Sequence, residues 1–179
     1  MPRSRNIYRR FAASTRGVAA IEFATIMPMF FLLFLASVDA GRATAVYMKV
    51  RSATFTLDAI ANQYTTIHDT DMQQILGATS VVLAPYSSSP VVVVISQLSI
   101  SATKQVTVSW SDTLNGTKRT QPPSNIPAAL VTPSTTLIFG EVSYKYSPLF
   151  GYFTSGAITL SDNLYVAPRS VSSITRTSP

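Results

Sequence analysis

The sequence predicts an α+β protein: a long N-terminal helix, first membrane-spanning and then amphipathic, packed on a small antiparallel β-sheet head. Three observations carry that prediction. An apolar run with a single charged residue lies near the N-terminus, a heptad-like apolar spacing follows it, and from about residue 70 the pattern changes to short β-branched and aromatic segments.

The first element is a basic leader. Residues 1–17 hold five arginines (Arg3, Arg5, Arg9, Arg10 and Arg16) and no acid. The whole chain of 179 residues has 14 Lys/Arg against 8 Asp/Glu, so outside the leader nine basic residues nearly balance the acids. The formal charge of +6 therefore belongs mainly to the leader. That placement points to membrane targeting and orientation and argues against a nucleic-acid partner.

Residues 18–38 form the span. These 21 residues contain one charged side chain, Glu22. As a helix they would cover about 32 Å, close to the hydrocarbon thickness of a bilayer. The arginine-rich side is expected in the cytoplasm and the rest of the chain exported. A cleaved secretory signal is the rival, since "LASVDAG" supplies small residues after the apolar run.

Beyond the span, Ala43, Val46, Val50, Ala53, Leu57, Ile60, Tyr64 and Ile67 recur at alternating steps of three and four, while Lys49, Arg51, Asp58 and Asn62 fall off that stripe. This predicts an amphipathic extension of the same helix whose seam packs on a globular head. Two helices broken near Gly41 are the alternative. The polar "HDTD" stretch is expected to end the helix as a solvated turn.

The head is expected over residues 68–179. Segments 80–84, 91–101, 105–111, 135–147 and 157–167 read as strands. Asn115-Gly116 signals a turn, and the four prolines of residues 119–134 signal a long surface connection that includes a helical turn. Alternation puts Val142, Tyr144 and Tyr146 on one strand face. The polar tail "APRSVSSITRTSP" is expected to be disordered at its end. The domain reading is thus a leader (1–17), a transmembrane segment (18–38), an amphipathic extension (39–67) and a β-rich exported head (68–179).

Glu22 is the residue out of place. A carboxylate at mid-helix in a bilayer costs about 2.5–3.5 kcal/mol, less near an end, unless it finds a partner. Cutting after Gly17 would remove every leader arginine and leave an α-amine on Val18, positive near neutral pH. In a bundle of axially offset parallel helices, Glu22 of one subunit could pair with the Val18 amine of its neighbour and set their register. Pro28 lacks an amide hydrogen and is expected to kink or loosen the helix one turn later.

The combination of a basic leader, Arg16-Gly17, "VAAIEFA" with Glu22, Phe23 and Ala24, Pro28, a Leu/Phe run and an acid before Gly41-Arg42 resembles the TadE/TadG-like family. Members are type IV pilin-like pseudopilins or minor pilins of the tight-adherence (Flp) pilus system. Asp39-Ala40 stands where that family tends to have glutamate and an aromatic residue, which leaves the subfamily open. The resemblance covers residues 15–45. It implies an inner-membrane protein cut by a prepilin peptidase at Gly17/Val18, with Glu22 and Phe23 in assembly. The partners it implies are other pilins and the pilus assembly platform. An uncleaved single-pass anchor with an adhesive or scaffolding head is the alternative.

An enzyme is the third reading, and the sequence offers it little. There is no cysteine, which removes thiol nucleophiles and thiolate metal sites. His68, beside Asp69 and Asp71, is the one histidine. No phosphate loop, nucleophile elbow or paired-carboxylate arrangement can be named. The expectation is a structural protein, with no catalytic, cofactor or metal residues.

Overall fold

The computed structural model describes residues 16–150, 156–169 and 171–177. Arg3, Arg5, Arg9 and Arg10 lie outside these residues. The chain divides into two compact units, Met1–Gly41 and Arg42–Pro179.

Helix α1 (Arg16–Ala61) is a single helix of 46 residues that runs through both Pro28 and Gly41. It ends at Ala61, earlier than the apolar spacing suggests. The last turn tightens, with Gln63 N donating to Ile60 O at 3.1 Å and Tyr64 N to Ala61 O at 3.2 Å. The β-branched Thr65-Thr66-Ile67 sequence then becomes extended: β1 (Thr66–Ile67) pairs in parallel with β6 (Thr175–Arg176).

Two expectations fail just after this point. "HDTD" does not end a helix but starts one, and residues 80–84 do not form a strand. Helix α2 (Asp69–Val82) absorbs most of them. His68 is its N-cap, and the His68 amide donates to Asp71 Oδ2 at 2.9 Å. Met72, Ile75, Leu76, Thr79 and Leu83 are buried at helical spacing. That stripe begins before residue 80 and overrides the strand preference of "SVVLA".

The remaining strands fall where the alternation places them: β2 (Val91–Ile100), β3 (Val106–Leu114), β4 (Thr135–Tyr146) and β5 (Ile158–Val166). They form one sheet in the order β3-β2-β4-β5, antiparallel throughout. The β2–β3 register shifts between Gln97 and Leu98, where Ser109 is the extra residue. Asn115 takes the left-handed conformation, φ 57°, in the turn after β3. The connection after it contains one 3₁₀ turn, Ala128–Leu130, and Arg119 pins it to the sheet through a two-pronged ion pair with Glu141 (2.7 Å).

Apolar residues cover both sheet faces. On one, Val46, Val50, Ala53, Leu57 and Ala61 of α1 cluster with Val91, Val93 and Ile95 of β2 and Ile138, Val142, Tyr144 and Tyr146 of β4. The seam of α1 thus packs on the sheet as its spacing predicts, and Val142, Tyr144 and Tyr146 are core residues. On the other face Leu98, Ile100, Leu137 and Phe139 meet Ile126, Leu130 and Val131 of the long connection. Phe139 stacks on Tyr165 with ring centroids 4.3 Å apart.

The tail, expected to be disordered at its end, is fastened among the described residues. Ile174 is buried. Its amide donates to Gln97 Oε1 at 2.8 Å, and Trp110 Nε1 donates to its carbonyl at 3.1 Å. Arg176 pairs with Asp112 at 2.7 Å and with Asp69, while Lys118 holds the other oxygen of Asp112 at 2.9 Å. Apolar, amide and ionic contacts thus hold Ile174 and Arg176 despite the polar composition of the tail, whose residues 178–179 lie outside the described residues.

Candidate functional site

Two places in the molecule break the rules of an ordinary globular domain. The first is the N-terminal part of α1. Every residue from Gly17 to Phe34 is exposed, including Ile21 (69%), Phe23 (66%) and Met29 (67%). An apolar helix surface this long, bare on all sides, suits lipid or other apolar helices. Two of its hydroxyls are bonded within the helix, as an apolar medium favours: Thr25 Oγ1 donates to Ile21 O at 2.8 Å and Ser37 Oγ to Phe34 O at 2.7 Å. By length and composition this helix could cross a membrane.

Of the residues singled out in the sequence, Gly17, Val18, Glu22, Phe23 and Pro28 fall on this surface. Arg16 is the first residue of α1, and Gly17, Val18, Glu22, Phe23 and Pro28 follow within it. A Cβ at Gly17 would meet nothing within 4 Å, so packing among the described residues does not demand glycine there. A helix loses roughly 1 kcal/mol to an interior glycine. Pro28 cannot donate the amide bond that the Ala24 carbonyl would otherwise receive.

The second place lies in the head. Thr54, Asp58 and Asn62 form a polar line at steps of four, one position after each of the seam residues Ala53, Leu57 and Ala61, and all three are buried. Thr54 Oγ1 donates to Val50 O at 3.1 Å, and Asn62 Oδ1 accepts from Arg169 N at 2.8 Å. Asp58 is different: among the described residues neither carboxylate oxygen has a hydrogen-bond partner. It lies against Gly140, where a Cβ would come within 2.8 Å of Asp58 Cγ and Oδ2. Burial pushes its pKa up from 3.8 to about 8.

The off-stripe position of Asp58 in the seam spacing suggests a solvated side chain, and the structure corrects that for both Asp58 and Asn62. Two signals in the sequence bear on it. A line of small polar residues shadows the seam at every fourth position, and a lone glycine interrupts the strand "TTLIFGEVSYKY", a sign of close approach by another group.

The His68 cluster serves the fold. Asp71 caps α2 and Asp69 pairs with Arg176.

Comparison with known proteins agrees with the N-terminal segment. Residues 17–56 match the family model described as TadE-like protein. The match starts at Gly17, includes Glu22 and Pro28 and ends inside the seam of α1, so it overlaps the stretch that carries the sequence resemblance. No significant match to the chain was found among curated proteins or solved structures.

Proposed function

We propose that this protein is a pilin-like structural component of a Tad (Flp) pilus system, anchored in the inner membrane, cut after Gly17 by a prepilin peptidase and assembled through α1 with other pilins and the assembly platform. The observation that carries the reading is the coincidence of the TadE-like match with the apolar stretch of α1, Gly17–Phe34, in which every residue is exposed. In this reading the leader arginines hold the N-terminus in the cytoplasm. Gly17 lets a peptidase approach the backbone, a role outside the fold's own packing. Glu22 then pairs with the Val18 amine of a neighbouring subunit, and the head is the exported part.

The test is the mature N-terminus. Intact mass of the full-length product from cells that carry the peptidase should correspond to a start at Val18, and a bulky replacement at Gly17 should leave the leader attached. A start at Met1 in those cells would support an uncleaved anchor, and a start beyond residue 38 a secretory signal.

A further inference from the structure

We propose that Asp58 is a proton-operated latch between α1 and the sheet: as a neutral acid it seats the helix on Gly140, and its ionisation loosens that seat. The inference does not depend on the pilus reading.

The geometry leaves little room for a charge. Asp58 is fully buried, both oxygens lack partners among the described residues, and the space they fill exists because β4 has no Cβ at residue 140. Ile138 and Val142 flank Gly140 on the same face of β4, and β2 brings Val91, Val93 and Ile95 to that face. The polar neighbours on α1 are otherwise engaged, Thr54 with Val50 and Asn62 with Arg169.

Charged and titratable groups on the packed elements do not compensate. From β4 they are Tyr144 and Tyr146, farther along the strand. From β5 it is Asp162, whose strand position is opposite Val142. From the tail they are Arg169, which touches Asn62 through its backbone amide, and Arg176, which is paired with Asp69 and Asp112. On α1 itself they are Lys49 and Arg51, about two turns earlier. Among the described residues no cation forms an ion pair with Asp58. A buried carboxylate without a partner is far costlier than a buried neutral acid, so the folded head favours the proton.

The direction of the pH effect follows. The unfolded chain releases this proton near 3.8, whereas the folded head keeps it to about 8. Between those values the native state binds one proton more than the unfolded state, so stability falls as pH rises. The contribution is fully present below the unfolded value, shrinks through the window and is gone above the folded one. Within the window each pH unit changes the folding equilibrium by up to about tenfold.

Thermal melting of the full-length protein in detergent micelles, from about pH 5 to about pH 9, tests this against Asp58→Asn, which keeps the side-chain shape and removes the charge. The wild-type midpoint should fall with pH and level off toward the alkaline end. Asp58→Asn should lose most of that slope and melt above wild type at the alkaline end. Parallel profiles, or a flat wild-type profile, would overturn the proposal. Should Asp58→Asn not fold, the infrared carbonyl band of a protonated carboxyl in the wild type decides: it should persist at about pH 6.5 and titrate away toward about pH 9. Its absence at the lower value would equally overturn the latch.

Discussion

Two acidic side chains on the same helix face opposite problems. Glu22 sits on an exposed apolar surface, where a partner from another molecule can reach it. Asp58 sits under the sheet, where no cation among the described residues pairs with it. Their neighbours show how finely position decides cost. Val50 is fully buried in the seam, while Arg51, the next residue, is exposed with its guanidinium 5.8 Å from the Phe55 ring centroid. Val50→Asp would set an unpaired charge against β2 and β4 and should destabilise the head by on the order of 3–5 kcal/mol. Arg51→Gln loses one exposed cation–π contact and should cost under about 1 kcal/mol. Urea unfolding of the two full-length variants compares them, and equal, small effects would contradict a seam buried on the sheet.

Among the elements, the tail holds by one cationic centre. Arg176 and its partner Asp112 each retain 11% side-chain exposure, close to burial, and Lys118 shares that acid from the solvent side. Arg176→Ala leaves Asp112 with Lys118 alone and Asp69 without its arginine. The expected loss is on the order of 3 kcal/mol, with earlier proteolysis near the C-terminus. Limited proteolysis followed by mass spectrometry reads it, and an unchanged cleavage pattern would mean the tail is held by Ile174 and Gln97 instead. Such long-range contacts mark where the sequence stops being informative. The period-3.6 seam of α1 and the alternating strands β2 to β5 are local patterns, and the fold follows them. The strand reading of "SVVLA" weighs five residues by their β preference, but the stripe that decides them starts at Met72. The tail is polar by composition and is fixed by Asp69 and Asp112, which lie 107 and 64 residues away in sequence. The burial of Asp58 is illegible for the same reason: it depends on a glycine in a strand whose register against α1 no local spacing reveals.

At the scale of the whole molecule there are two units, one of which, Arg42–Pro179, holds the core clusters, while the other carries an exposed apolar helix surface with Glu22 as its charged residue between Val18 and Val38. Glu22 is exposed and belongs to neither of the head's two core clusters. In the proposed function Glu22 acts between subunits, and Glu22→Ala isolates that role. Were the acid merely tolerated, its removal would relieve a desolvation cost and leave insertion, cutting and incorporation intact or improved. If it pairs with a neighbour's Val18 amine, the variant inserts and is cut but does not assemble. Glu22→Asp should restore part of the function by keeping the charge on a shorter side chain, and Glu22→Gln should not, because it lacks the ion pair. The measurement is co-purification of full-length protein with pilus components, with membrane insertion as control. Pairing between subunits predicts a strong loss of co-purification for Glu22→Ala at normal insertion, and wild-type co-purification of that variant would contradict it.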